Sequence, residues 1–160
     1  MRKIESGFTL IELVLVLGII AIMSAGAIMS IQANANRALE NASLALQADI
    51  RYIQRRSITE GQRYRIIFEL ESNRYSIYLV GANPSSHEVI RTVYLRNGVF
   101  LYSTTFLASQ NLPPRIEFLP RGTPSPRGGN VRLSNGRFSQ TIYVTPTTGR
   151  VRIADIAPVN

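Results

Sequence analysis

The 160-residue sequence contains no cysteine and no tryptophan, one histidine (His87) and one lysine (Lys3). Without cysteine, the chain has neither disulfides nor thiolate metal sites. Neither a Gly-x-Ser-x-Gly nor a His-Glu-x-x-His motif accompanies the single histidine, so the usual residues of nucleophilic and zinc-dependent hydrolysis are missing. We therefore expect a protein that is not an enzyme, with no catalytic residue, no bound metal and no cofactor.

Acidic residues are also scarce, since 10 Asp and Glu stand against 18 Lys and Arg, giving a net charge of +8. The C-terminal part has only one acid, Glu117, between residues 115 and 152. The same interval holds the arginines at positions 115, 121, 127, 132, 137, 150 and 152. Because guanidinium groups pair bidentately with phosphate, this concentration indicates an anionic partner. The alternative is an arginine-rich surface that serves solubility alone.

No proline precedes Pro84, and residues 8–31 form a nearly unbroken apolar run, FTLIELVLVLGIIAIMSAGAIMSI. This length is sufficient to span a bilayer. Arg2 and Lys3 precede the run, so the positive-inside rule predicts a cytoplasmic N-terminus and an extracytoplasmic head. Glu12 is the one charged residue of the run. An ionised side chain in hydrocarbon costs roughly 2.5 to 3.5 kcal/mol on insertion scales, so we expect Glu12 to have a partner.

Two alternatives apply to this segment. The small residues 24–27 (SAGA) would suit a signal peptidase, which predicts an ordinary secreted protein that loses the whole segment. Glu12 could also extend its carboxylate to the membrane interface, in which case it would have no specific partner. Neither alternative explains both the charge and the helical pattern that continues beyond the apolar run.

Residues Gly7 to Glu12, with the sequence GFTLIE, resemble the class III signal of type IV pilins and related pseudopilins. The resemblance implies that a prepilin peptidase cleaves between Gly7 and Phe8 and then N-methylates Phe8. It also implies that Glu12 neutralises the Phe8 amine of a neighbouring subunit as the filament assembles. The implied partners are the peptidase, other pilin or pseudopilin subunits and an inner-membrane assembly platform.

This resemblance divides the chain into a leader (1–7), a transmembrane and filament-core helix (8–30), an amphipathic helix (31–60) and a β-rich head (61–160). It implies a single-pass protein of the bacterial inner membrane, with its head in the periplasm or, in the filament, at the cell surface. Apolar residues beyond Ile31 recur at helical spacing up to Gly61, at positions 35, 39, 42, 46, 50 and 53. Asp49 lies near this stripe, and we expect it to pair with Arg51 or Arg56.

Alternating apolar residues predict two antiparallel strands around Tyr64–Leu70 and Tyr75–Leu79, joined by a turn at residues 71–74. Further strands are predicted at 88–96, 99–107, 115–119, 131–133, 137–145 and 150–156. The stretch 120–130 is rich in Pro, Gly, Ser and Arg, which predicts a mobile insertion. The expected fold is α+β, with a long N-terminal helix packed on an antiparallel sheet.

The segments IEFLPRG (116–122), IYV (142–144) and GRV (149–151) are similar to the GspH/FimT family of minor pseudopilins and pilins. The function implied is a minor subunit of a type IV pilus or of a type II secretion pseudopilus. Gly149, Arg150 and Arg152 also resemble the Gly-Arg-x-Arg element of DNA-binding minor pilins, which implies DNA uptake by a competence pilus as the alternative. A charged edge strand that prevents aggregation is the simpler explanation of these arginines.

Overall fold

The computed structural model describes residues 9–83, 86–106 and 112–159, although the side chains of residues 25–33 are outside this description. The predicted leader and its cleavage site at Gly7 and Phe8 lie outside the described residues, as does part of the predicted transmembrane segment. The chain divides into two units, Met1–Asn34 and Ala35–Asn160. We describe each unit by itself.

A single helix, α1, extends over Leu10–Glu60. In the first unit, the side chains from Leu10 to Ser24 are all exposed. Over the side chains that the structure describes, no helix combines the length and the apolarity that crossing a membrane requires.

Within the second unit, α1 buries one stripe and exposes the other. Leu39, Leu46, Ile50 and Ile53 are fully buried, which confirms the apolar stripe predicted from their spacing. The serines at positions 43 and 57 are buried as well, and their small side chains were not part of the predicted stripe. The helix ends at Glu60, and Gly61 has a φ of +64°, the left-handed conformation that glycine adopts without strain.

The strands that follow α1 form two antiparallel sheets. The first sheet has the order β3-β2-β1-β5-β6 and the second has the order β10-β8-β7-β4, with β9 also paired to β8. The strands are β1 (Tyr64–Glu69), β2 (Arg74–Leu79), β3 (Glu88–Tyr94), β4 (Phe100–Thr104), β5 (Arg115–Phe118), β6 (Pro124–Ser125), β7 (Gly129–Ser134), β8 (Phe138–Val144), β9 (Val151–Ile153) and β10 (Ala157–Pro158). The α+β prediction of a long N-terminal helix followed by antiparallel β-structure is confirmed.

One core joins the head helix to both sheets. It combines Leu46 and Ile50 of α1 with Ile66 and Phe68 of β1 and with apolar residues of the second sheet such as Ile142. Phe68 also stacks on Phe106 with ring centroids 5.4 Å apart. Each sheet therefore presents one apolar face to the interior and one polar face to solvent.

The mobile insertion predicted at 120–130 is wrong for this chain. Pro124 and Ser125 form β6, which pairs with Glu117 and Phe118 of β5, and Pro124 is buried. Gly122 has a φ of +76° and packs so closely on Ile58 of α1 that an added Cβ would lie 2.6 Å from Ile58 Cδ1. The glycines and prolines in this stretch serve turns and close packing.

Candidate functional site

The N-terminal site begins with a helix cap at Thr9. The Glu12 amide donates to Thr9 Oγ1 at 3.4 Å and to the Thr9 carbonyl at 3.1 Å. Thr9 precedes the first helical residue, Leu10, so Glu12 occupies the third position of the helix, as in a Thr-x-x-Glu capping box. A carboxylate here also interacts favourably with the positive end of the helix dipole. The Glu12 amide is therefore part of the helix cap, and the assembly role of the Glu12 carboxylate stays a prediction.

The arginines of the head fall into two groups. Near the first sheet, Arg65 and Arg63 reach Glu117 at 2.8 and 3.7 Å, and Arg74 reaches Glu69 at 2.6 Å. By contrast, none of the seven arginines from 115 to 152 forms an ion pair with any acid in the described part of the chain. These seven arginines are distributed over both sheets, since Arg115 lies on β5 of the first sheet, whereas Arg132 and Arg152 lie on β7 and β9 of the second.

Asp49 contacts partners that its sequence neighbours did not indicate. Its carboxylate pairs with Arg91 of β3 and accepts a 2.7 Å hydrogen bond from the Tyr75 hydroxyl of β2. The expected pairing with Arg51 or Arg56 is wrong, because Asp49 faces the first sheet. Burial is the main cause that raises the pKa of Tyr75 well above its usual range, and the neighbouring Asp49 carboxylate raises it further. This contact fixes the head helix to the first sheet, and no local sequence signal would have revealed it.

A second polar cluster surrounds the end of α1. Arg56 pairs with Glu60 at 2.5 Å and lies over the rings of Tyr52 and Tyr64. It also donates a hydrogen bond to the Tyr52 hydroxyl at 2.9 Å. The Tyr64 hydroxyl donates to Glu60. Burial and this hydrogen bond raise the pKa of Tyr64 to about 12. The hydrogen bond from Arg56 is the main cause that lowers the pKa of Glu60.

The Gly149-Arg150-Val151-Arg152 element follows the turn at residues 146–148 and leads into β9. The Gly149 amide donates to the Thr145 carbonyl at 2.9 Å, and its φ of +65° is left-handed. Arg150 and Arg152 are exposed, while Val151 between them is buried. The alternation predicted for the two guanidinium groups is therefore present, although β9 itself begins only at Val151.

Side chains of helix α1 form hydrogen bonds with the backbone of this element. Gln54 Nε2 donates to the carbonyls of Gly122 and Thr148 at 2.9 and 3.1 Å. Arg51 donates to the Val151 carbonyl at 3.1 Å. A Cβ at Gly149 would lie 2.5 Å from Gln54 Nε2, so the glycine is required for close packing as well as for its φ. The sequence indicated Gly149, but it gave no signal for Gln54 or Arg51.

Two surface grooves adjoin β9. One, of about 460 Å³, lies between α1 and β9 and is lined by Glu40, Leu44, Arg51, Gln140 and residues 150–155 among others. The other, of about 300 Å³, is lined by Tyr143, Arg152 and residues 128–130. Tyr143 and Arg152 are directly paired across β8 and β9, so their side chains share the exposed face of the second sheet. Within the described residues, no group of three or more acidic or histidine side chains is placed to hold a metal ion.

The fold is shared with solved structures of pilin-like proteins. The minor pseudopilin EpsH of the Vibrio cholerae type II secretion system matches with a TM-score of 0.59 at 11% identity, covering 72% of this chain and 95% of its own. The type IV minor pilin FimU of Pseudomonas aeruginosa also has a TM-score of 0.59, at 14% identity, covering 75% of this chain and 90% of its own. These likenesses define a pilin-like class of fold.

Two family matches then identify the chain. The prokaryotic N-terminal methylation motif matches residues 2–28, and the family of the type II transport protein GspH matches residues 42–149. The chain belongs to the GspH family, and it is a minor pilin or pseudopilin of the type IV pilus or type II secretion kind. No curated protein matches it significantly in sequence.

Proposed function

We propose that this chain is a prepilin that is cleaved after Gly7, N-methylated on Phe8 and assembled as a structural subunit, without catalysis, into a type IV pilus or a type II secretion pseudopilus. The observation that carries the proposal is the order of two matches in one chain, a methylation motif followed by a GspH domain. The implied partners are a prepilin peptidase, other filament subunits and an assembly platform. The implied location is the bacterial inner membrane, with the head outside the cytoplasm.

The processing step is tested by mass spectrometry of the mature N-terminus. We expect the membrane-bound form to begin at Phe8 and to carry one added methyl group. A form that begins at Ala25 or Met29, without a membrane-bound species, would show an ordinary secretory signal and contradict the proposal.

The assembly step rests on Glu12, which we propose neutralises the Phe8 amine of a neighbouring subunit. Opposite charges attract strongly where water is excluded, so loss of the carboxylate removes this interaction. Because Glu12 also sits in a capping-box position, the two roles must be separated. Glutamine serves in that position as well as glutamate does, but it carries no charge.

Two variants at Glu12 therefore distinguish the roles. We expect both Glu12→Gln and Glu12→Ala to be cleaved and methylated normally, yet to be absent from sheared filaments or filament-rich fractions. The measurement is an immunoblot of those fractions beside whole membranes. Normal assembly of Glu12→Gln together with failure of Glu12→Ala would mean that helix capping, and not charge, is the role of Glu12.

DNA capture by a competence pilus is the second candidate function. The observation that favours it is the exposure of Arg150 and Arg152 on a face without neighbouring ion pairs, with Tyr143 directly beside Arg152. Two guanidinium groups contact phosphates and the tyrosine stacks on an unpaired base in this proposal. Such binding is independent of sequence and weakens steeply with salt.

A mobility-shift titration of the detergent-solubilised full chain tests this candidate. We expect the Arg150→Ala/Arg152→Ala variant to bind DNA at least about tenfold more weakly than the wild type, and salt to weaken wild-type binding. Arg96→Ala removes an exposed arginine of a different region and is the matched control. Salt-insensitive binding, or equal binding by the double variant, would eliminate DNA capture through these residues.

A further inference from the structure

The groove between α1 and β9 differs from the rest of the arginine-rich surface in carrying both signs of charge. Arg51, Arg150 and Arg152 contribute positive charge to it, while Glu40 and Asp155 contribute carboxylates. Neither carboxylate forms an ion pair within the part of the chain that the structure describes. A polyphosphate, which is uniformly negative, would meet two repulsive groups here. A protein segment with an acidic side chain and neighbouring uncharged groups avoids that repulsion.

The groove also has an apolar component that a protein segment would cover. Leu44 on the α1 side is 49% exposed, although it lies only two residues before the fully buried Leu46. Ile153 is half-buried on the β9 side. With a volume of about 460 Å³, the groove is within the roughly 300 to 1,000 Å³ range of ligand clefts. Apolar contact with a partner side chain would therefore add to the charge pairing.

Gln140 lies in the floor of the groove. It is 8% exposed, and its Nε2 donates to the Ala154 carbonyl at 3.1 Å. Its side-chain amide therefore reports on a partner in the groove, while the open hydrogen-bonding groups lie on the strand edge.

The strand edge that faces the groove supplies the complementary groups. β9 pairs only with β8 among the described strands, and the Ala154 amide donates to the Thr141 carbonyl. In an antiparallel pair the bonded positions alternate, so Val151 and Ile153 direct their backbone groups away from β8. Arg51 already binds the Val151 carbonyl, which leaves the backbone groups of Ile153 for a partner.

We propose that this groove is a docking site for an acidic segment of another protein chain. A carboxylate of the segment pairs with Arg150 and Arg152, an apolar side chain covers Leu44 and Ile153, and backbone groups of the segment face the strand edge at Ile153. The partner is a different protein, because this chain carries a net charge of +8 and, of its own neighbouring acids Glu69 and Glu71, Glu69 is already paired with Arg74. The docking site goes beyond the assembly function, which rests on the N-terminal segment and is tested separately at Phe8 and Glu12.

The test is nuclear magnetic resonance on the isotope-labelled full chain in detergent micelles, with three probes. These are a capped six-residue peptide of alternating Glu and Ala, its Gln and Ala analogue, and a twelve-nucleotide oligothymidylate. We expect the acidic peptide to shift the Gln140 side-chain amide and the amides of residues 150–155. The Gln peptide should bind at least about tenfold more weakly, because it lacks the charge that pairs with the arginines.

Variants then assign the binding to the groove. The Arg150→Ala/Arg152→Ala variant should bind the acidic peptide at least about tenfold more weakly than the wild type does. The control variant Arg96→Ala should bind the peptide with unchanged affinity. All three positions are exposed, so circular dichroism should show a wild-type fold for both variants. Equal binding of the charged and uncharged peptides, or no shift at Gln140, would overturn the proposal. Groove shifts produced more strongly by the oligothymidylate than by the acidic peptide would also overturn it, in favour of nucleic acid.

Discussion

The two sheets of the head treat their arginines differently. On the first sheet, Arg65, Arg74 and Arg91 are each paired with a carboxylate, and Asp49 joins that sheet to α1. On the second sheet, Arg132 and Arg152 lie on strands without an acid opposite them, and the described residues supply no ion pair for either. Except for Arg115 of β5, which has no ion pair among the described residues, the arginines on strands of the first sheet stabilise the fold, whereas those on the second sheet remain available to partners.

This difference has a physical origin in where the acids lie. Asp49, Glu69 and Glu117 are all at or beside the first sheet, whereas the only acid after Glu117 is Asp155. The second sheet depends instead on apolar burial and on close backbone packing at Gly149. We expect substitutions of charged residues to destabilise the first sheet and to leave the stability of the second nearly unchanged.

The largest effect is expected from Asp49→Ala, which removes the carboxylate shared by Tyr75 and Arg91. The buried Tyr75 hydroxyl then loses its acceptor, so the free energy of unfolding should fall by about 3 kcal/mol. Urea unfolding of the solubilised full chain, followed by circular dichroism, measures it. Asp155→Ala is the control, since that exposed acid forms no ion pair with any residue that the structure describes and should change stability by less than about 0.5 kcal/mol. Equal effects of the two substitutions would remove the contrast between the sheets.

Local patterns in the sequence predicted most of the fold but not its long-range polar contacts. The stripe around Leu46 and the alternation around Ile66 are set by neighbouring residues, and both elements appear as expected. The composition of residues 120–130 led to the wrong prediction of a mobile insertion, because a Pro- and Gly-rich stretch can also contain a short buried strand, as it does at Pro124. The element at Gly149 was predictable because its residues are contiguous. The groove was not, since Glu40 and Asp155 meet there only through folding.

We expect the stability of the second sheet to depend on close packing at Gly149, whereas the stability of the first sheet depends on its ion pairs. Gly149→Ala should cost about 2 to 3 kcal/mol, because it combines a left-handed φ with an added Cβ 2.5 Å from Gln54 Nε2. Gly136→Ala is a matched control, with a φ of +88° but no atom within 4 Å of the added Cβ, and should cost about 1 kcal/mol. The difference in unfolding free energy isolates the packing contribution. Identical losses would show that conformation alone matters at Gly149.

Alkaline pH provides a third comparison between the sheets. The buried residues Tyr64 and Tyr75 donate hydrogen bonds from their hydroxyls to carboxylates of α1, whereas Tyr143 is exposed on the second sheet. The pKa of Tyr64 is raised to about 12 in the folded state by burial and Glu60, against about 10 in the unfolded chain. The folded state then holds its proton more tightly, so this stabilisation is complete below pH 10 and is lost as the pH rises through 12. Tyr64→Phe should flatten the decline in unfolding midpoint over that range, while Tyr143→Phe should not. An unchanged slope in Tyr64→Phe would assign the decline to other groups.

The smallest changes in the free energy of unfolding are expected when a single arginine of either sheet is replaced. Arg74 pairs with Glu69 and lies over the Tyr94 ring, but it is partly exposed, so Arg74→Ala should lower the free energy of unfolding by only a small amount. Arg152→Ala removes no ion pair formed within the described chain and should change the free energy of unfolding by less than about 0.5 kcal/mol. High salt should reduce the Arg74 effect and leave the Arg152 result unaltered, since screening acts on the pair with Glu69. A larger loss for Arg152 than for Arg74 would mean that the second sheet uses its arginines for folding, which would weaken their assignment to partner binding.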